Sequence, residues 1–138
     1  MLNRTLRTVL IPLLLALTPA AYAVEPWSGM YLAIDPADGS LDRLSISANK
    51  DKTFTIRGSV TQHTDCFKHT GVMGGAWFEA VGKIEGDRLV REQMKLFCAE
   101  QEKPISMPDA SYIYNELSDT LSFAIPGGER VLIFHRID

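Results

Sequence analysis

Apolar and polar residues alternate with a period of two along much of the chain, which is the pattern of half-buried β-strands. The alternation is clearest in three successive segments, whose apolar positions are Met30, Leu32 and Ile34, then Leu44, Ile46 and Ala48, then Phe54, Ile56 and Val60. Short polar turns separate these segments. Strands joined by such turns pair with their neighbours in antiparallel order, so the pattern predicts a meander.

The alternation returns in the second half of the chain and predicts five more strands, at residues 77–84, 89–98, 111–115, 121–125 and 130–136. Pro104 and Pro108 cannot donate backbone hydrogen bonds, so residues 101–110 are predicted to form a long loop. The sequence Pro-Gly-Gly-Glu at residues 126–129 predicts a hairpin turn. Residues 89–97 can also be read with helical spacing, but no segment after residue 23 is long enough in that pattern to predict a helix.

About eight short strands at this spacing are typical of all-β proteins, either barrels or sandwiches. We expect an antiparallel meander that forms a small closed or nearly closed β-barrel, because closure removes the exposed strand edges of an open sheet. A β-sandwich is the alternative. The interior of an eight-stranded barrel is either filled by side chains or holds one small ligand. Residues 24–138 are long enough for a single domain with one core.

The first 23 residues have the features of a secretory signal peptide. They carry Arg4 and Arg7 but no acidic residue, then an apolar run over residues 8–18, and they end in Ala21-Tyr22-Ala23. We therefore expect a periplasmic or secreted protein. The apolar run is too short to cross a membrane, which takes roughly 20 residues, so no membrane insertion is expected.

The net charge and the cysteine content indicate which partners to exclude and in which compartment the protein lies. The formal net charge of −3 would become −5 without Arg4 and Arg7, and such a chain would repel nucleic acid. Two cysteines in an exported chain most often pair, because export places them in an oxidising compartment. We therefore predict a disulfide bond between Cys66 and Cys98.

Both ends of the mature chain resemble those of calycin-type barrels, the lipocalins and avidins. The first strand opens with Trp27-Ser28-Gly29-Met30-Tyr31, and the last contains Ile133-Phe134-His135-Arg136. In lipocalins a Trp that follows a Gly by two positions packs near an Arg of the final strand. Here Trp27 precedes Gly29 by two positions, so the motif itself is not matched. The resemblance implies an architecture and carries no site residues.

Two histidines and an acid surround Cys66 in the stretch from Gln62 to Gly75, the least ordinary of the chain. Imidazole and carboxylate groups at His63, Asp65 and His69 are a plausible ligand set for zinc or copper, although the spacing fits no strong metal signature. These residues define one functional hypothesis, an enzyme or metal-handling protein. The chain has no G-x-S-x-G motif and its cysteines are expected to pair, so we assign no catalytic residues and expect no cofactor.

The other hypothesis is an exported, soluble binding protein, and we favour it. The stretch from Gln62 to Gly75 is rich in glycine and is expected to be a loop that presents Phe67, Val72 and Met73. Aromatic residues at Trp77, Tyr112 and Tyr114 are candidates to line a pocket. Loops held by a rigid scaffold are where binding sites usually lie. The protein is expected to capture a small apolar ligand or a protein partner, and inhibition of a secreted hydrolase is one version of the latter.

Overall fold

The computed structural model describes residues 26–124 and 131–138, and within these ranges it contains nine strands and one short helix. The predicted signal peptide (residues 1–23) and hairpin turn (residues 126–129) lie outside the described residues. The elements are β1 Gly29–Ile34, β2 Leu41–Ala48, β3 Phe54–Val60, α1 Thr64–Thr70, β4 Ala76–Glu85, β5 Arg88–Cys98, β6 Ile105–Ser106, β7 Ala110–Asn115, β8 Thr120–Ala124 and β9 Val131–Arg136.

The strands form a closed antiparallel barrel, as predicted. Hydrogen-bonded neighbours follow the order β1-β2-β3-β4-β5-β7-β8-β9, and β9 pairs with β1 through Tyr31 with Arg136 and Leu32 with His135. The two-residue strand β6 pairs with β5 in addition. Because all of these strands belong to one continuous sheet, the alternative β-sandwich is wrong.

Apolar alternation indicated the inward faces of β2 and β3 correctly, but not that of β1. On β1 the buried residues are Tyr31 and Ala33, whereas Met30 and Ile34 are more than half exposed. The face that the apolar pattern indicated is therefore the outer one. Both faces of this strand carry apolar side chains, so the alternation identifies the strand but not the side that turns inward.

A bulge on β5 explains why this segment also resembled a helix. The pairing with β4 shifts by one residue between Glu79 and Val81, and Gln93 takes a φ of 52° on the opposite strand. The extra residue changes the phase of the alternation. The buried residues are Leu89 and Arg91 before the bulge and Met94, Leu96 and Cys98 after it.

A short helix occupies part of the segment that was predicted to be a loop. The imidazole Nδ1 of His63 accepts a hydrogen bond from the Asp65 backbone N–H at 3.2 Å and so caps the start of α1. At the other end Gly71 has a φ of 73°, and its N–H donates to the Phe67 carbonyl at 2.8 Å. A helix of seven residues is too short to show a helical apolar period in the sequence.

The predicted disulfide bond is confirmed, and it fixes α1 to the barrel. Cys66 and Cys98 are bonded, with their Cα atoms 5.6 Å apart and 32 positions apart in sequence. Cys66 is buried on α1 and Cys98 ends β5. The helix is therefore held against the end of the barrel at which β5 terminates.

Candidate functional site

A cavity of about 680 Å³ lies at the end of the barrel where α1 is attached, and we call it the barrel cavity. Its exposed end is formed by the turn between β1 and β2, by α1 and by residues 105–108. Its inner wall consists of side chains that project inward from the strands. Among the inner residues are Phe78, Met94, Tyr112, Phe123, Leu132 and Phe134.

Aromatic rings form much of this inner wall. The Tyr112 ring lies 5.1 Å from the Phe123 ring in a tilted contact and 6.2 Å from the Phe134 ring in an edge-to-face contact, measured between ring centres. The Phe78 ring packs over Gly58, its partner on the neighbouring strand β3. Any larger residue would clash there, because a Cβ atom on Gly58 would lie 2.2 Å from the ring. Rings in such arrangements give an apolar and well-ordered surface.

Arg91 is the one arginine that is buried among the described residues, at 5% exposure, and it lies on the cavity wall. It projects inward because it precedes the bulge, at a position on β5 that pairs with Gly82 and Ala110. Its Nη1 donates to the Tyr112 hydroxyl at 3.4 Å, and its Nε has no hydrogen-bond partner in the protein. A charged residue on a strand is normally expected to face solvent, so nothing in the sequence indicated this role.

The Arg91 guanidinium is flanked by aromatic rings and not by an acid. Its guanidinium carbon lies 5.0 Å from the centre of the Phe123 ring and 5.6 Å from that of Phe78. Within residues 26–124 and 131–138 no carboxylate forms an ion pair with it. Cation–π contacts are worth about 0.5–2 kcal/mol each, whereas burying an ion costs several kcal/mol. Binding of an anionic group would offset the difference.

Tyr112 supports the guanidinium as a neutral phenol. Burial raises the pKa of Tyr112, and this effect outweighs the opposing influence of the nearby Arg91 charge and hydrogen bond. The hydroxyl oxygen accepts from Arg91 and the hydroxyl proton is retained as a donor. Arg91 and Tyr112 are thus neighbouring hydrogen-bond donors on the wall of the cavity.

The cavity wall also contains acidic residues, among them Asp42. Asp42 has one carboxylate oxygen, Oδ1, that is buried and without a hydrogen-bond partner. Burial, followed by the nearby charges of Asp35 and Asp38, raises the pKa of Asp42 to about 6. Asp35 and Asp38 also accept backbone hydrogen bonds from Ala37 and Ser40, at 2.8 Å each, and so shape the turn between β1 and β2.

The metal hypothesis gains no support from the geometry. His63, Asp65 and His69 do line the exposed end of the cavity. However, His63 Nδ1 accepts the Asp65 N–H as a helix cap and lies 3.8 Å from Asp65 Oδ2. Burial lowers the pKa of His63 and so favours the neutral imidazole, whose Nε2 is not used by the cap. In the part of the chain that the structure describes, no group of three or more His, Cys, Asp or Glu side chains could hold a metal ion.

The six residues predicted to bind a ligand or partner lie in different places. Tyr112 alone among them lines the cavity. Phe67, Val72 and Met73 are about half exposed on α1 and the segment after it, and Trp77 is half exposed and stacks on Phe97 with ring centres 3.9 Å apart. Tyr114 lies near the opposite end of the barrel, where its hydroxyl donates to Asp119 at 2.9 Å.

Comparisons of the chain with protein-family models, with curated proteins and with solved structures find no match of any of the three kinds. The resemblance to calycin-type barrels finds no counterpart in these comparisons. No helix of the described residues is long and apolar enough to cross a membrane. Function must accordingly be inferred from the barrel cavity and the surfaces around it.

Proposed function

We propose that this protein is a binding protein that encloses one small, largely apolar molecule in the barrel cavity. The observation that supports this most directly is the cavity itself, which combines about 680 Å³ of space with a wall of aromatic and aliphatic side chains. Ligand-binding pockets typically measure about 300–1,000 Å³ and are lined mainly by apolar groups, with a few polar groups that fix orientation. The inner wall of the barrel cavity fits this description, whereas its exposed end carries polar and charged side chains of the turn between β1 and β2 and of α1.

The exposed end of the cavity is built from elements that are anchored in place. The disulfide bond between Cys66 and Cys98 fixes α1, and hydrogen bonds fix the turn between β1 and β2. Met107 N–H donates to the Met94 carbonyl at 3.0 Å, which ties residues 105–108 to β5. A site that is ordered before binding loses less conformational entropy when a ligand enters.

A neutral fluorescent probe tests this proposal without assuming a ligand. N-phenyl-1-naphthylamine is uncharged, and its emission rises in apolar surroundings. We expect saturable enhancement with the wild-type protein and loss of enhancement in Val60→Trp, because Val60 is a partly buried residue of the cavity wall and an indole would fill the space. Ile133→Trp adds the same ring at an exposed position of β9 and should bind the probe normally.

Two results of this experiment would overturn the proposal. The first is a wild-type protein that gives no saturable enhancement. The second is equal probe binding by a folded Val60→Trp variant and the Ile133→Trp control, which would place the probe outside the cavity. Near-ultraviolet circular dichroism of each variant verifies that its core is intact.

A protein partner is the second candidate, and the half-exposed apolar side chains of Phe67, Val72 and Met73 favour it. Inhibition of a secreted hydrolase remains one version. The double variant Phe67→Ser/Met73→Ser separates the candidates, because it should leave probe binding unchanged if the ligand lies inside the barrel. A protein-binding function would instead be lost with these two side chains.

Export to the periplasm or the cell exterior remains part of the proposal. The disulfide bond is compatible with an oxidising compartment. The enzyme or metal-handling alternative would require His63, Asp65 and His69 to act together, and His63 could then contribute only Nε2, because its Nδ1 caps α1. Zinc titration by calorimetry at neutral pH tests that alternative, and binding heat that disappears in His63→Ala/His69→Ala would support it.

A further inference from the structure

The buried guanidinium of Arg91 goes beyond what an apolar cavity requires. It lies on the cavity wall at 5% exposure, and its Nε has no hydrogen-bond partner in the protein. A cavity for a purely apolar molecule would be more favourably lined by another aliphatic side chain, since an unpaired buried charge is costly. A negatively charged group bound inside the barrel would therefore stabilise the buried charge of Arg91.

We propose that Arg91 and Tyr112 form a recognition site for one carboxylate, so that the bound molecule is a monocarboxylic acid with an apolar body. This inference rests on the proposed cavity-binding function and names its ligand class. A guanidinium presents N–H donors in a planar arrangement that matches the two oxygens of a carboxylate. Tyr112, whose oxygen already accepts from Arg91, retains a proton that it can donate to the same group.

The surrounding rings determine where the rest of the molecule lies. The guanidinium is flanked by Phe123 and Phe78, at 5.0 and 5.6 Å, and Tyr112 is in contact with Phe123 and Phe134. A carboxylate at Arg91 therefore leaves its attached chain or ring against aromatic surface. Apolar contact with these rings adds affinity, while the charged group sets the orientation.

A single negative charge fits this site better than two. Arg91 is one buried cation, and its charge matches one carboxylate. Asp42 lines the same cavity with an unpartnered oxygen, so a second negative charge on the ligand would face a carboxyl group that ionises near neutral pH. Phosphate monoesters and dicarboxylates are thus disfavoured relative to monocarboxylates.

Displacement of N-phenyl-1-naphthylamine by molecules of equal chain length tests the inference. We expect decanoate to displace the probe from the wild-type protein at a concentration at least tenfold lower than decan-1-ol, and decyltrimethylammonium to be weaker still. In Arg91→Met the preference for decanoate over decan-1-ol should fall to within threefold. Arg88→Met is the matched control, because Arg88 also lies on β5 but does not line the cavity and has a side chain that is 55% exposed, so it should keep the wild-type preference.

The outcomes separate this inference from the proposed function. Absence of probe binding overturns both. Normal probe binding with equal displacement by decanoate and decan-1-ol overturns the carboxylate site alone, as does an equal loss of preference in Arg91→Met and Arg88→Met.

A measurement on the wild-type protein makes the test independent of whether Arg91→Met folds. Decanoate labelled with ¹³C at the carboxyl carbon reports its own ionisation by NMR. Beside Arg91 the bound carboxylate should titrate at least one pH unit below free decanoate, because an adjacent cation favours the charged form. Titration at or above the free value would place the carboxyl group away from Arg91, or nearer to Asp42, and would contradict the proposal.

Discussion

The guanidinium carbon of Arg136 lies 4.7 Å from the centre of the Tyr31 ring, and this contact joins the last strand to the first at the end of the barrel away from the cavity. Arg136 Nη1 and Nη2 donate to the carbonyl oxygens of Ser28 and Pro26, and Nε donates to Asp119 at 2.8 Å. One arginine therefore binds the entering chain, the first strand and the turn before β8. In this barrel Tyr31 provides the ring beside the arginine, whereas Trp27 packs near Tyr114 with ring centres 5.9 Å apart.

Gly29 is predicted to be essential for this arrangement. It has a φ of +152°, and a Cβ atom at this position would lie 2.0 Å from Arg136 Nη1. We expect Gly29→Ala to lower the free energy of unfolding by about 2 kcal/mol, because both the backbone and the arginine must shift. Urea unfolding measures the change. Gly74→Ala, where a Cβ atom meets nothing within 4 Å, should stay within about 0.5 kcal/mol of wild type.

The ion pair between Asp119 and Arg136 should make stability depend on pH in the acidic range. The hydrogen bond from Arg136 lowers the pKa of Asp119 below its ordinary value near 4. A lowered native pKa gives stability that is present above the unfolded pKa and lost as the pH falls through the native one. Asp119→Asn should therefore be less stable than wild type at pH 7, with the difference shrinking towards pH 2. Urea midpoints measured at each pH would contradict this if the difference were constant, and Asp87→Asn, with a side chain 86% exposed, is the control.

Asp42 should have the opposite effect. Because burial raises its pKa to about 6, protonation stabilises the folded state, and this contribution is present below pH 4 and lost as the pH rises through 6. Partial exposure of the group reduces the full linkage value, so we expect Asp42→Asn to raise the free energy of unfolding by about 1 kcal/mol at pH 7. At pH 4 the variant and wild type should coincide. Asp109→Asn, at an exposed position, should show no such dependence, and a gain of the same size at both pH values would refute the explanation.

Reduction of the disulfide bond should destabilise the protein and loosen α1. The bond closes a loop across 32 sequence positions, for which chain entropy predicts a loss of about 3–4 kcal/mol on reduction. Urea unfolding of oxidised protein, and of Cys66→Ser/Cys98→Ser, gives the difference. Hydrogen exchange should show faster exchange of the Gly71 and Phe67 amides in the variant, since the helix is no longer fixed to β5. Equal urea midpoints for the two proteins would show that the bond does not stabilise the fold.

Much of the barrel could be predicted from local sequence properties. Alternation located eight strands, and two cysteines in the expected context specified one bond that the structure contains. The strands depend on backbone preferences that act over a few residues. The disulfide bond could be predicted because two cysteines can pair in only one way. The seven-residue helix α1 escaped prediction because its stability comes from the His63 cap, Gly71 and a distant cysteine.

The sequence by itself determined the all-β class, through its alternation of apolar and polar residues and the turn residues between the alternating segments. It also determined the one possible pair of cysteines. Only the tertiary structure decided which side chains of β1 and β5 face the interior. A one-residue bulge near Gln93 sets the phase that turns Arg91 inward, and barrel closure brings Tyr112, Phe123 and Phe78 around it from three other strands. Which way a side chain points, and which side chains surround it, depend on the closed sheet. The reason is that a shift of one residue reverses the direction of every side chain that follows it on the strand.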